Sequence, residues 1–145
     1  MTYASRTTVP ADKTRGEIER ALTRYGAKNF AYFTETGRAV IVFVASDRRI
    51  RFDLPLPTGD SDKDEKAKRQ KWRALLLCIK AKLEGVESKI ETFEEAFLSH
   101  VVMIDGMTVY AHTRDAIATA YKSGEMTPLL PPPAKSNPLL PGPKK

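Results

Sequence analysis

Residues 62–84, DKDEKAKRQKWRALLLCIKAKLE, form the longest helical pattern in the chain and contain its only tryptophan. Their apolar side chains recur at helical spacing and therefore share one face. These side chains are Trp72, Leu75, Leu76, Ile79, Leu83 and, just beyond the stretch, Val86. The spacing predicts an amphipathic helix whose apolar stripe packs on the core, with Trp72 buried at the head of the stripe.

A row of cations lies beside this stripe. At 100° per residue, four basic side chains fall within about 60° of one another along nearly four turns. They are Lys66, Arg69, Arg73 and Lys80, and we call them the basic rail. Such a row can contact successive phosphates of a nucleic acid, although solvated charges are also an ordinary feature of a helix surface.

The segment before this helix changes to a period of two and predicts three strands, at 28–34, 38–45 and 48–54. Thr36-Gly37 and Ser46-Asp47 mark the two turns between them. The middle strand is apolar on both faces, which predicts a central position in the sheet. The pattern therefore indicates a three-stranded antiparallel meander.

The side chains of the outer strands suggest what one face of the sheet does. The third strand alternates, with Arg49 and Arg51 predicted to point outward and Arg48 beside them at the turn. The first strand carries Phe30, Tyr32 and Phe33, and any one of these aromatics is more often a core residue. Tyr32 or Phe33 must nevertheless point away from the core, so both are candidates to stack on bases.

Helix signals frame the rest of the chain. The first ten residues look irregular, and Thr14 with Glu17 has the spacing of a capping box that opens a first helix ended by Gly26. Thr92 with Glu95 opens a short helix that reaches about His100. The Asp-Gly pair in 101–110, VVMIDGMTVY, predicts a hairpin.

A last helix is predicted at 114–122. Thr113 is its expected cap, and Gly124 ends it.

The chain changes character at Thr127, after which seven of its ten prolines occur. Two similar segments, PLLPPP at 128–133 and PLLPGP at 138–143, predict an extended polyproline II tail that cannot form a core. A preformed tail of this kind suits docking in an aromatic groove of a protein. The residues expected to contact such a partner are Pro128, Leu129, Leu130, Pro131, Pro138, Leu139, Leu140 and Pro141. We therefore predict one α+β domain at 1–126 and a proline-rich tail at 127–145.

Composition narrows the class of protein. A net charge of +6 with a pI near 9.5 favours an acidic partner such as nucleic acid, and an ordinary basic protein is the alternative. No apolar run approaches the length of a membrane span, and no signal peptide opens the chain. Cys78 is the only cysteine, which suits a reducing cytoplasm. We expect a cytoplasmic protein with no membrane partner.

The residue types needed for catalysis do not form a convincing constellation. Two histidines, His100 and His112, and one cysteine are too few for a usual zinc cluster. Cys78 is expected at the edge of the core rather than as a nucleophile. Neither a phosphate-binding glycine loop nor a nucleophile elbow is present in the sequence. We predict a protein that is not an enzyme and needs no cofactor or metal.

Five segments resemble small uncharacterised proteins encoded by phages and prophages. They are TTVP at 7–10, GEIERALTRYGA at 16–27, RFDLPLP at 51–57, QKWRALLLCIKAKLEGVES at 70–88 and TFEEAFLSHVV at 92–102. The resemblance covers well over half the chain but brings no catalytic or binding residue with it. It implies a phage accessory protein in the context of replication or recombination genes, in the cytoplasm of a host cell.

Two functional hypotheses follow. The first is a nucleic-acid-binding accessory protein, with DNA favoured over RNA, that contacts phosphates through Arg48, Arg49, Arg51 and the basic rail. The second is a protein-binding module, an inhibitor or adaptor of a host or phage enzyme, that uses the tail. One continuous positive surface joining the rail to the third strand would favour the first hypothesis.

Overall fold

The elements follow the predicted order of a helix, three strands and then further helices. The computed structural model describes the backbone of residues 3–132 and the side chains of residues 12–132. The described elements are α1 (Tyr3–Thr23), β1 (Lys28–Glu35), β2 (Arg38–Ala45), β3 (Arg48–Pro55), α2 (Asp62–Glu87), α3 (Phe93–Phe97), a 3-10 turn (Leu98–His100) and α4 (Val109–Ser123). The fold is α+β, which confirms the predicted class.

The sheet is an antiparallel meander in the order β1-β2-β3, with β2 in the centre as predicted. Both turns fall where the sequence places them. Gly37 has a φ of 87°, and Ser46 and Asp47 have φ values of 52° and 58°. Positive φ at both central residues of the Ser46-Asp47 turn matches the twist of the strands it joins. Local turn chemistry therefore sets the register of the whole sheet.

The two faces of the sheet have different surroundings. On one face, alternate residues of β2 such as Ile41 and Phe43 are completely buried. Helices α1, α2 and α3 cover this face, and their apolar side chains join the same core cluster. None of the described helices packs on the other face, which we call the open face. Its side chains include Ala31, Phe33, Glu35, Arg38, Val40, Val42, Val44, Arg49, Arg51 and Asp53.

Helix α2 forms as its sequence predicts. The Ser61 hydroxyl accepts a hydrogen bond from the Asp64 backbone N–H, and the Asp64 carboxylate accepts one from the Ser61 backbone, which completes a capping box. The helix continues through Gly85 and ends at Ser88. Trp72 is only 4% exposed, which confirms its predicted burial. The predicted stripe is buried from Trp72 to Leu83, and Val86 is half-buried at its end.

Helix α3 is short and contributes most of its apolar side chains to the core. Its capping box at Thr92 and Glu95 is present as predicted. Phe93 and Phe97 stack on each other with ring centroids 4.5 Å apart, and Phe97 meets the rings of Phe43 and Phe52 edge to face. The aromatic cluster therefore joins α3 to two strands of the sheet.

The start of α1 differs from the prediction. The helix begins at Tyr3, so residues predicted to be irregular are helical, and Thr14 lies inside the helix rather than at its cap. Thr14 is buried one turn before Ile18 on the same face. Packing of that face against the core outweighs the local preference of threonine for a cap, because most helix stability comes from tertiary contacts.

The region after the 3-10 turn also differs from the prediction. The hairpin is reduced to one bridge, between Val102 and Thr108, around a turn with Gly106 at a φ of 87°. Thr108 caps α4 in place of the predicted Thr113, so the helix begins at Val109. The apolar residues after Thr108 suggested a strand, but pairing with the preceding segment stops at Val109, whose N–H donates to the Val101 carbonyl oxygen. Gly124 ends the helix in the left-handed conformation, as predicted.

The proline-rich tail lies mostly outside the described residues. Residues 127–132 are exposed and form no regular element. Pro128, Leu129, Leu130 and Pro131 are therefore accessible for a contact. Four of the residues predicted to contact a partner lie outside the described residues: Pro138, Leu139, Leu140 and Pro141.

Candidate nucleic-acid interface

The basic rail is exposed along one flank of α2. Lys66, Arg73 and Lys80 are exposed, and Arg69 is half-buried. None of the four forms an ion pair with a described carboxylate, whereas Lys68 of the same helix pairs with Glu65. The rail covers about 21 Å from its first to its last residue. It is therefore a row of positive charge that forms no ion pair with the described residues, although Asp62 and Glu84 lie on the same flank beyond its two ends.

The three arginines of β3 point in two directions. Arg49 and Arg51 lie on the open face, opposite Val44 and Val42 of β2. Arg48 has the opposite orientation, towards the beginning of α3. There the Glu94 carboxylate is stabilised first by its own backbone N–H, then by the Ser46 hydroxyl and by the Arg48 charge, and its pKa is lowered.

The seven predicted cations consequently do not form one surface. Helix α2 packs on the covered face of the sheet, while Arg49 and Arg51 project from the open face. The sheet itself separates them. The continuous positive surface that would have joined the rail to the third strand is absent from residues 12–132, and two separate basic surfaces take its place.

The open face is an apolar groove of about 670 Å³. Its floor is the row of Val40, Val42 and Val44 from the central strand. Phe33 stands on the β1 side of this floor and is 61% exposed. The groove is therefore bounded by an aromatic ring on one side and by arginines on the other.

Arg51 shapes the β3 side of the groove. Its Nη1 donates to the carbonyl oxygen of Gly106 at 2.9 Å, and its Nε lies 3.6 Å from the Asp53 carboxylate without forming a hydrogen bond. The turn around Gly106 thereby becomes a wall of the groove, together with Val102. The sequence analysis missed Val102 and Gly106, because no local pattern shows that the turn folds back onto β3.

Of the candidate stacking residues, the structure places only Phe33 on the open face. Tyr32 lies on the covered face, where its ring is 6.4 Å from that of Trp72 and 5.6 Å from the Arg15 guanidinium. Burial raises the pKa of the Tyr32 phenol well above its usual range. Phe30 also belongs to the core, against Phe43. A base stacking on the open face would therefore meet Phe33 and not Tyr32.

Helix α4 presents a second unpartnered surface. No residue of this helix is buried, and its side chains at 110, 117 and 121 are exposed within about 40° of one another. They are Tyr110, Ile117 and Tyr121, with exposed fractions of 59%, 43% and 88%. Tyrosine is enriched in protein interfaces, so the composition of this face resembles a contact surface.

The residue types that bind metals are dispersed. Within the described part of the chain, no three His, Cys, Asp or Glu side chains are grouped to hold a metal ion. His112 Nε2 lies 2.7 Å from Asp105 Oδ2, and this hydrogen bond lowers the pKa of Asp105. Cys78 is exposed on α2 and not at the edge of the core as expected, because the helix turns it away from the stripe.

His100 is a partly buried histidine whose protonation we expect to lower the stability of the fold. Its ring stacks on Phe52 at 4.0 Å, and burial followed by the nearby Lys82 charge lowers its pKa below the ordinary value of 6.5. The unfolded chain therefore binds the proton more readily, and the contribution of His100 is present above that value and lost as pH falls. We expect the free energy of unfolding to fall from pH 7 to pH 5 in urea titrations. His100→Phe, which keeps a ring but cannot titrate, should flatten that dependence. An unchanged slope would show that His100 titrates alike in both states.

Comparison with known proteins assigns neither a family nor a function to the chain. The chain matches no protein-family model, no curated protein and no solved structure. None of the described helices has both the length and the apolar character needed to cross a membrane.

Proposed function

We propose that this protein is a non-enzymatic accessory protein that binds nucleic acid, in a phage replication or recombination setting and with DNA as the favoured partner. The observation that supports it is the basic rail, in which four cations follow one flank of α2 without a described carboxylate partner. An exposed ion pair would cancel such charge locally. Unpaired charge in a row leaves the surface ready for a polyanion.

The length of the rail fits a nucleic-acid backbone. About 21 Å of helix spans several successive phosphates of one strand. Each lysine or arginine that neutralises a phosphate releases condensed counterions, and this release drives binding without reading sequence. The rail therefore supports binding that is sensitive to salt and tolerant of sequence.

The double variant Arg69→Glu with Arg73→Glu tests this function. It takes the net charge from +6 to +2 and places two repulsive groups in the middle of the rail. We expect retention of short double-stranded DNA to be lost, and that of single-stranded DNA to be weakened, at 50 mM salt in fluorescence anisotropy. The circular dichroism spectrum should stay unchanged, because Arg73 is exposed and neither residue forms a described ion pair.

The matched control reverses Lys71 and Lys122 to Glu. Both lysines are exposed and lie away from the rail, Lys71 on the other flank of α2 and Lys122 on α4, and the change in net charge is the same. The control should keep most of the affinity. Equal losses in the two double variants would mean that net charge alone attracts DNA. A wild-type protein that retains neither DNA nor RNA at low salt would remove the nucleic-acid function altogether.

A second candidate function, binding of a protein, is favoured by α4. Its exposed face of Tyr110, Ile117 and Tyr121 lacks a partner among the described residues, and the exposed Leu129 and Leu130 follow soon after. Aromatic anchors of this kind dominate the energetics of many interfaces. This function would be supported if a host or phage enzyme is captured by the wild-type protein even after nuclease treatment, and is no longer captured by the variant Ile117→Glu.

A further inference from the structure

We infer that the open face binds a single strand of nucleic acid, with one base stacked on Phe33 and phosphates held by Arg49 and Arg51. This inference rests on the proposed function and names the form of nucleic acid and a second surface that binds it. The open face differs from the rail in having an exposed aromatic ring beside its cations. That combination has a specific chemical meaning, because bases stack on aromatic rings while arginines hold the backbone.

The spacing of these groups suits one strand. Phe33 is paired with Val40, and Val40 with Asp53, so Phe33 lies across β2 from Asp53. Arg51 and Arg49 are two and four residues further along β3, roughly 12 and 16 Å from Phe33 when neighbouring strands are about 4.8 Å apart. Arg49 and Arg51 are two residues apart on β3, which is about 7 Å along the strand. A backbone running along β3 can therefore direct a base over the valine floor towards Phe33.

The charges around the groove favour binding of a phosphate at one end of the groove. Arg49 forms no ion pair with a described carboxylate. Two acids, Glu35 and Asp53, stand at the other end, where Arg38 pairs with both of them. Asp53 also lies beside Arg51, whose guanidinium is partly engaged by Gly106. Free positive charge is thus concentrated at the Arg49 end, where a phosphate would bind.

A duplex would gain little from the same surface. Its bases are paired and stacked on one another, so none can place a face on Phe33 unless it leaves the helix. The charged backbone of a duplex that lay on the valine floor would also lose water from its phosphates without gaining a hydrogen bond in return. An unpaired base can stack on the ring of Phe33 and contact the valine floor, which is why the surface favours a single strand.

The experiment compares an oligothymidylate of 15 nucleotides with a duplex of the same length by fluorescence anisotropy at low salt. Phe33→Ala should weaken binding of the single strand by on the order of tenfold, the effect of removing one stacked base. Binding of the duplex should stay within about twofold. Arg49→Gln should weaken the single strand as well. Leu98→Ala, which truncates a similarly exposed apolar side chain on the 3-10 turn, away from the rail and the open face, should change neither affinity.

Phe33→Trp provides an independent readout. Trp72 is buried, so the new indole would be the exposed fluorophore. Stacking of a thymine on it should quench its emission as the oligothymidylate is added, with affinity kept near that of the wild type. Absence of quenching in a variant that still binds would overturn the inference, because the base would then lie elsewhere.

The outcomes separate this inference from the proposed function. If reversal of Arg69 and Arg73 abolishes binding while Phe33→Ala changes nothing, the rail alone binds nucleic acid and the inference fails. If Phe33→Ala weakens single strand and duplex equally, the preference for a single strand is wrong. If the wild type binds neither, and Phe33→Ala instead dissociates a dimer seen in sedimentation, the open face is a contact between copies of the chain. In that case both proposals fail.

Discussion

Replacing Phe97 by alanine is expected to lower the free energy of unfolding by about 3–5 kcal/mol, the range for a large aromatic removed from a core. Phe97 is completely buried. Its ring contacts those of Phe43, Phe52 and Phe93, with centroids 6.3, 6.1 and 4.5 Å away. The deletion would leave a cavity where the short helix α3 joins the sheet. Because α3 has five residues and cannot be stable alone, we expect the loss to reach the whole cluster.

Phe33→Ala is the matched control, since it removes the same atoms from a side chain that is 61% exposed. It should cost about 1 kcal/mol or less, the worth of a cross-strand pair on a sheet surface. Urea unfolding followed by circular dichroism measures both variants. Similar losses in the two would mean that the open face is as well packed in solution as the core, and that a partner covers it.

The second large effect concerns salt. If all four cations of the basic rail neutralise phosphates, raising salt from 50 to 200 mM should weaken binding by about 50-fold for a single strand and about 150-fold for a duplex. The physical reason is that counterions released on binding are less readily lost into a concentrated salt solution. Anisotropy titrations at several salt concentrations give the slope of log affinity against log salt directly.

The variant Arg69→Ala with Arg73→Ala should halve that slope, because two of the four phosphate contacts disappear. The same fourfold rise in salt would then cost about 7-fold for a single strand and about 12-fold for a duplex. Lys71→Ala with Lys122→Ala should leave the slope unchanged, since these lysines lie off the rail. A wild-type slope near zero would contradict phosphate binding, and an unchanged slope in the rail variant would place the contacts on other cations.

The elements with strong local signals were predictable. The stripe from Trp72 to Leu83 repeats at helical spacing for three turns, and the capping box at Thr92 and Glu95 satisfies backbone donors that every helix start leaves free. The sheet was predictable for a similar reason, because both turns, at Thr36-Gly37 and at Ser46-Asp47, contain residue types that are common in turns. These features depend on neighbours in the chain.

The elements whose local sequence signals are weak or conflicting could not be predicted from the sequence. Thr14 and Glu17 have the spacing of a capping box, but Thr14 is buried in the middle of α1 because this face of the helix packs on the core. The apolar residues after Thr108 were predicted to form a strand, yet the pairing stops after the bridge between Thr108 and Val102 and the chain forms α4 from Val109 onward. A local preference worth a fraction of a kcal/mol per residue yields to such tertiary context.

The candidate interface shows the same division. Sequence alone determined the basic rail, because residues at helical spacing on one helix must share a flank wherever that helix packs. It also determined that Tyr32 and Phe33 point to opposite sides of the sheet, because side chains alternate along a strand. Only the tertiary structure decided which side the helices cover, and so which of the two aromatics is exposed. The packing of the helices on one side of the sheet also placed Arg49 and Arg51 away from the rail, and the fold of the following turn brought Gly106 against Arg51. Such contacts between distant segments depend on how whole faces pack, and they leave no repeating pattern in the sequence.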